Sequence, residues 1–401
     1  MANDMPVARG MRTPFFNTDS RLEPIGDIVI PPGLLVAQEF RLPSQNGNLP
    51  MDRFIHSLQL DVQLRLTNAV AAETAINADA PWSIINRVVV EGYHRIRNAN
   101  ETFIDLRGPD LHHLMKYYIG TELFNQGTMP LGLVLNNTND ICFSLPVPFV
   151  PLLVPSYVAS GYLLDAPNYD QLRLRVYLGN LQNLFTTGAG STETVGPYLG
   201  NAAYPARIRV SGYFAQAGAA QFKGFVPGRV WRYSNELTGA SMTTTANGTR
   251  IFNVPKGNRL RGVMLKTGTK AVTTAGNDAY LALSDVIFTD IRFNRGLNKP
   301  VRRYNDFWMG HGEQNYLKRM QQGASAGAPA APVMIYPTQL GHLLMDFCPK
   351  GHLQDAMDLR GLVAGATGDV DTYIDANVVG AANQAAIAVW EELRGFPQMF
   401  L

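Results

Sequence analysis

At 401 residues the chain has room for two to three domains by the usual measure of roughly 150 residues each, and two β domains of nearly 200 residues would account for it. Only 16% of its residues are charged, against roughly 25% in an ordinary soluble protein, so much of the surface is expected to face other subunits rather than water. A formal net charge of +2 is too small a basic excess for a protein whose affinity for nucleic acid comes from neutralising phosphates, which excludes genome packing as its own work.

Residues 1–33 carry Arg9, Arg12 and Arg21 among Pro6, Pro14, Pro24, Pro31 and Pro32, with Phe15 and Phe16 side by side. Prolines at this density prevent a continuous helix or central strand, so the segment reads as an arm with one extended piece, Asp27–Ile30. EFRLP at Glu39–Pro43 then leads into DRFIHSLQLDVQLRLTN at Asp52–Asn68. There Leu58, Leu60, Val62, Leu64 and Leu66 alternate with Gln59, Asp61, Gln63 and Arg65, which is the period of a long antiparallel strand with one dry and one wet face.

A loop follows, then a β-branched strand at Ser83–Gly92, a shorter one at Asn98–Leu106, and a helix in which Leu111, Leu114, Met115 and Tyr118 recur at helical spacing. Further strands are expected at Asp140–Val147, Tyr169–Leu178 and Arg207–Gln216. The stretch between the first two is apolar but broken by Pro148, Pro151, Pro155 and Pro167, so it reads as a structured crossover. Asn180–Tyr204, rich in Gly, Thr and Asn, reads as an excursion that projects from the sheets. Ala217–Thr249 reads as a linker with an extended piece at Val230–Asn235.

The pattern then begins again. RIFNVP at Arg250–Pro255 and NRLRGVMLKTG at Asn258–Gly268 repeat the order of a strand ending at a proline, a polar turn, and a strand opening on Arg. Strands at Asp285–Asn294 and Lys299–Tyr304 lead to a helix over residues 306–322, weakened by Gly310 and Gly312, and then to strands at Val333–Tyr336, His342–Pro349, Val370–Val378 and Ala385–Leu393. Helix and proline-ended strand stand 28 residues apart in one copy (113 to 141) and 30 in the other (313 to 343). The fold class is therefore all-β, two tandem jelly-roll domains of Greek-key type with short accessory helices. The expected division is an arm at 1–33, a first roll at 34–217, a linker at 218–249, and a second roll with C-terminal tail at 250–401.

Candidate chemistry is sparse. Cys142 and Cys348 lie far apart without metal-binding spacing, so a reduced interior is expected. The N-terminal sequence has no apolar core of signal-peptide length, which predicts synthesis in a cytosol. GASAG at Gly323–Gly327 matches the nucleophile-elbow pattern around Ser325, but it lies in a flexible Ala, Gly and Pro stretch rather than between strand and helix. His112 and His113 point about 100° apart on a helix, cannot share a metal ion, and are expected at a surface or subunit contact. His342, Asp346, Cys348, His352 and Asp355 are too irregularly spaced for a metal site. Asp369, Asp371 and Asp375 lack the Gly and distal Glu of a calcium loop and read as solvated charge. GAGSTETVG at Gly188–Gly196 has no Lys and no following helix, so it is no phosphate cradle.

Taken in order, FIHSLQLDVQLRLTN, PWSIINRVVVEGYHRIRNANETF, the DLHHLMKYY helix and the closing pair YDQLRLRVYLGN and RIRVSGYF resemble the double jelly-roll major capsid proteins of tailless icosahedral viruses, the tectivirus and adenovirus lineage, over residues 34–394. The resemblance implies a structural virion protein without catalytic residues, cofactor or metal. It would form homotrimeric, nearly hexagonal capsomers of a membrane-containing double-stranded DNA virus of a bacterium. The implied partners are further capsomers, penton and minor capsid proteins, and an internal lipid membrane reached by the arm through Arg9, Arg12, Phe15, Phe16 and Arg21, with no specific nucleic acid. The implied location is the virion shell, after synthesis in the host cytoplasm. Two other readings stand beside it. A receptor- or carbohydrate-binding spike would use Trp231, Tyr233 and Trp308 in an aromatic groove, and a cupin- or esterase-like enzyme would need a His cluster on strands or a working elbow.

Overall fold

The computed structural model describes residues 21–34, 38–42, 47–68, 72–77, 79–119, 133–154, 156–180, 183–187, 193–216, 227–270, 281–295, 300–306, 322–323, 333–334, 341–359 and 371–395. They fall into two compact units, the first drawn from Met1–His112, Glu122–Tyr233 and Glu392–Leu401, the second from His113–Thr121 and Ser234–Glu391. The arm residues before 21, most of the expected helix at 306–322, and Ser325 lie outside the described residues.

In the first unit Arg53–Asn68 is the organising strand. Leu58, Leu60, Val62, Leu64 and Leu66 are at most 1% exposed, while the residues between them are half-buried. Thr138–Pro148 pairs antiparallel along one side over eleven residues, from Ser57↔Pro148 to Thr67↔Thr138. Along the other side runs Arg207–Gln216, with a bulge between Tyr213 and Phe214. The wet face carries a polar ladder across these strands: Arg65 forms a bidentate pair with Asp140 at 2.8 and 2.7 Å, Ser144 donates to Asp61, and Arg207 donates to Gln63 and Asp27.

A second sheet of the same unit runs in the order Gln38–Arg41, Tyr169–Leu178, Ile85–His94, Ala99–Leu106, all antiparallel. Leu172, Leu174, Val176, Val88, Val90 and Ile104 give it a dry face, and Phe103 meets Phe149 and Tyr169 edge-on at 6.4 and 5.5 Å. Arg229–Leu237 joins Ala99–Leu106 in parallel at Arg232↔Ile104 and Tyr233↔Asp105.

Three stretches are more ordered than their composition suggests. Arg21–Val29 is a continuous strand, not a four-residue piece, and it forms an edge of the first sheet beside Arg207–Gln216. Pro24 is tolerated there because it sits on an edge strand beside a shift in register between Pro24 and Gly26. The Gly- and Thr-rich excursion contributes two short strands, Phe185–Thr187 against Glu73–Ile76 and Glu193–Gly196 against the end of Arg53–Asn68. Within the expected linker, Arg229–Leu237 is a strand, and Ala246–Asn253 already opens the second set of strands.

The second unit repeats the pairing scheme. Ala246–Asn253, Thr372–Val378, Phe288–Arg295 and Pro300–Tyr304 form one antiparallel sheet in that order. Arg259–Lys270 has Gln384–Arg394 along one side, and along the other Met357–Asp358, His342–Asp346 and Leu281–Leu283 in succession. Strand for strand this matches the first unit: Arg259–Lys270 takes the place of Arg53–Asn68, His342–Asp346 that of Thr138–Pro148, and Gln384–Arg394 that of Arg207–Gln216. The duplication is therefore one of connectivity. What differs is burial: Arg259–Lys270 is buried at nine consecutive positions and Gln384–Arg394 at ten, so this sheet has no wet face along them.

Because Leu64 is fully buried and Thr67 on the same strand is exposed, Leu64→Ala is expected to cost about 2–5 kcal/mol and Thr67→Ala less than about 0.5 kcal/mol, read as shifts in the denaturant midpoint.

Candidate functional site

The side chains with chemical potential are mostly engaged with one another. His112 is 6% exposed and stacks on Trp82 with ring centres 3.5 Å apart; His113, 4% exposed, lies 4.1 Å from the ring of His342. The expectation that both sit at a surface is therefore corrected. His112 lies nearly flat on Trp82, at 15°, and His113 is tilted by 47° against His342, so ring packing takes the place of hydration on the helix Gly108–Ile119. Of the late aspartates, Asp371 is exposed, as expected of solvated charge, whereas Asp375 is not. Asp371 pairs with Arg250 at 2.7 and 2.8 Å, Asp375 pairs with Arg292 at 2.8 Å and is 8% exposed, and Tyr373 lies under the Arg250 guanidinium at 4.7 Å. Asp369 lies outside the described residues.

Arg21 opens the first described strand, opposite Phe214. Arg9, Arg12, Phe15 and Phe16 lie outside the described residues, as does Trp308. Trp231 and Tyr233, the other two residues of the aromatic-groove reading, are taken up by the chain itself. The Arg394 guanidinium sits 2.9 Å from the Trp231 ring centre, and the Tyr233 hydroxyl donates to Glu392. Among the described residues no group of three or more His, Cys, Asp or Glu side chains converges on a point that would hold a metal ion, and no helix is long and apolar enough to cross a membrane.

Two buried ionic clusters escaped sequence reading. In the first unit Arg229, 4% exposed, donates to Glu101 at 2.9 Å and lies 3.6 Å from Asp165; the Tyr169 hydroxyl also donates to Glu101, and His94 stands 3.9 Å from Asp165. Burial lifts the Asp165 carboxyl to about 6 and depresses His94. The cluster ties the beginning of Arg229–Leu237 to Ala99–Leu106 and Tyr169–Leu178, while Arg232 donates to the carbonyls of Pro148 and Val150. In the second unit Arg261, fully buried, pairs with Glu391 at 3.0 Å and sits 4.4 Å over the Tyr118 ring, and the Cys348 amide donates to Asp346. Burial pushes the Cys348 thiol up to about 12, which makes it inert as a nucleophile at neutral pH. The signal for the second cluster was a charge inside an apolar run, as in AAIAVWEEL and NRLRGVML.

These groups neutralise and immobilise one another, and none is presented to a substrate. What the first unit does present is shape. The segment Pro197–Tyr204 is closed by Tyr198 N–H to Tyr204 O (2.9 Å), Gly200 N–H to Pro197 O (2.9 Å) and Asn201 N–H to Tyr198 O (3.1 Å). The Leu199 amide is held by Asp140, the partner of Arg65, and Leu199 itself adopts a left-handed φ of 56° with its side chain exposed.

No protein-family model matches the chain, and no curated protein does. Solved structures do. The major capsid protein of Sulfolobus turreted icosahedral virus superposes with a TM-score of 0.58 at 7% identity, over 92% of this chain and 96% of that one. A chain of the atomic structure of the same virus gives 0.56 at 8% identity over 94% and 90%. One from the PBCV-1 virus capsid gives 0.52 at 10% identity over 94% of each chain. The fold is a double jelly roll. At 7–10% identity, what the double jelly rolls hold in common is the path of the chain rather than its side chains.

The buried Arg261–Glu391 pair gives a clear expectation. Arg261→Met strands Glu391 in the interior and costs about 3–5 kcal/mol, whereas the double variant Arg261→Met/Glu391→Leu regains most of that loss. Thermal melts of the three proteins under one buffer check it.

Proposed function

We propose that the chain is the major shell-forming protein of an icosahedral virus, that three copies associate as a capsomer of six similar rolls, and that it performs no catalysis. One observation carries the reading: a duplicated strand-pairing scheme spanning nearly the whole chain, on the same path as capsid proteins matched over at least 90% of their own length. The physics supports it. A shell requires many geometrically fixed contacts between identical copies, and a rigid sandwich that has settled its internal charges supplies fixed surfaces. Duplication lets a trimer stand in six-fold surroundings. The spike reading has no comparable support, since Trp231 and Tyr233 are covered by Arg394 and Glu392.

The partners in this reading are further copies of the chain and the proteins that close the shell. The arm, with Arg9, Arg12, Phe15, Phe16 and Arg21, would contact a neighbouring capsomer or an internal lipid layer. With so few basic residues its hold on anionic lipid would be weak, at about 1 kcal/mol per Lys or Arg.

Two measurements test these statements. Light scattering of the purified protein at micromolar concentration is expected to give three times 44.0 kDa, about 132 kDa; a stable monomer would overturn the capsomer. Replacing Arg9 and Arg12 together by Ala is expected to lower the yield of assembled particles while leaving the trimer mass unchanged. Unaltered particle yield and lipid content would remove those two charges from the assembly.

A further inference from the structure

Over residues 179–206 the sequence contains a single charged side chain, Glu193. It does not reach water. Glu193 is 2% exposed at the start of the short strand Glu193–Gly196, which pairs with the far end of Arg53–Asn68, Glu193 opposite Asn68. Its carboxyl group lies beside that of a second buried acid, Glu73, 5% exposed, at the head of Glu73–Ile76.

Glu73 is held rigidly. Its amide donates to Asn136 Oδ1 at 2.8 Å, its Oε2 accepts from the Asn136 amide at 2.6 Å, and its carbonyl accepts from Asn136 Nδ2 at 3.1 Å. Asn136 itself takes a left-handed φ of 55° to make these bonds. That leaves Glu73 Oε1 and both oxygens of Glu193 buried without any N–H or O–H donor. Three orphaned acceptors at one dry junction of two carboxyl groups cannot all belong to carboxylates, because burying an uncompensated charge costs far more than neutralising it.

Among the described residues, the neighbouring elements supply no counter-charge. Thr67 and Asn68 of the long strand, Asn136 and Thr138 beside them, and Phe185–Thr187 paired with Glu73–Ile76 are all uncharged. The charges at this end of the long strand and of Thr138–Pro148, Arg65 and Asp140, are paired with each other at 2.7 Å.

We propose that Glu73 and Glu193 form a proton-held latch, in which one proton shared between the two carboxyls keeps Glu73–Ile76, the Asn136 turn and Glu193–Gly196 fastened together, and loss of that proton unfastens them. In the closed form Glu193 donates its O–H to the Glu73 carboxylate. On opening, the proton leaves to solvent and two hydrated carboxylates remain, so charge and atoms balance. Burial, followed by the adjoining Glu73, lifts the Glu193 carboxyl from 4.5 to about 9. The sign follows from linkage: a carboxyl whose folded value is raised favours the closed form fully below 4.5, and that preference is lost as pH rises through about 9. The latch is independent of the shell reading, since it concerns only the first unit.

Hydrogen exchange by mass spectrometry on the full-length protein, at pH 6.5 and pH 9.5 and corrected for intrinsic rates, tests it. Amides of 73–76 and 193–196 are expected to lose at least about tenfold in protection at the higher pH, while those of Tyr169–Leu178 do not. In Glu193→Gln the amide donates to Glu73 without a titrating proton, and the same segments should hold their protection at both pH values. Equal protection of the wild type at both pH values, or a loss of the same size in Glu193→Gln, would overturn the latch. Should that variant fold poorly, the wild type still decides through NMR of the labelled glutamate side-chain carbons: a Glu193 carboxyl titrating near 4.5 overturns the proposal, and one near 9 supports it.

Discussion

The structure depends on a long strand that cannot find its neighbours locally. Arg53–Asn68 is flanked by strands beginning at Thr138 and Arg207, so both edges are closed only after the chain has travelled roughly its own domain length. Such pairing must be specified in register, because a slip of one residue would turn Leu58, Leu60, Val62, Leu64 and Leu66 toward water together. The wet face supplies the second specification. Arg65 reaches Asp140 and Asp61 meets Ser144 only in the observed alignment, so polar and apolar faces select the same register.

The second unit solves the same connectivity with different chemistry. Arg259–Lys270 and Gln384–Arg394 are covered nearly throughout, and one pair of charges on them is turned inward, Arg261 against Glu391. Covered strands gain apolar burial at both faces, and each charge they retain must carry its partner with it. Two copies of one topology have thus diverged in how their sheets meet their surroundings, one laddered with half-exposed polar pairs and one internal.

Much of the fold could be read because strand period is a local property. Tyr169–Leu178 and Arg207–Gln216 have the limits their alternation implies, and Arg53–Asn68 differs by one residue. The order of elements, repeated after Arg250, carried the duplication. What stayed hidden was decided by distant partners. Arg21–Val29 looks like an irregular arm until Arg207–Gln216 is beside it. His112 looks exposed until Trp82 lies on it, and Asp375 looks solvated until Arg292 reaches it. Glu193 carried a usable signal as the lone charge in a long neutral segment, but only the fold places it against Glu73. The buried ionic clusters were the least legible, since partners such as Arg229 and Glu101 stand 128 residues apart in the chain.

Among the described strands, Arg21–Val29 stands at an edge of its sheet. An unpaired strand edge invites any other extended chain to add to it, and a protein accumulating to high concentration would polymerise through such edges indiscriminately. Pro24 has no N–H to offer an incoming strand, and the bulge beside it breaks the even spacing that a templated partner would need. The irregularity therefore makes this edge a poor template for a further strand.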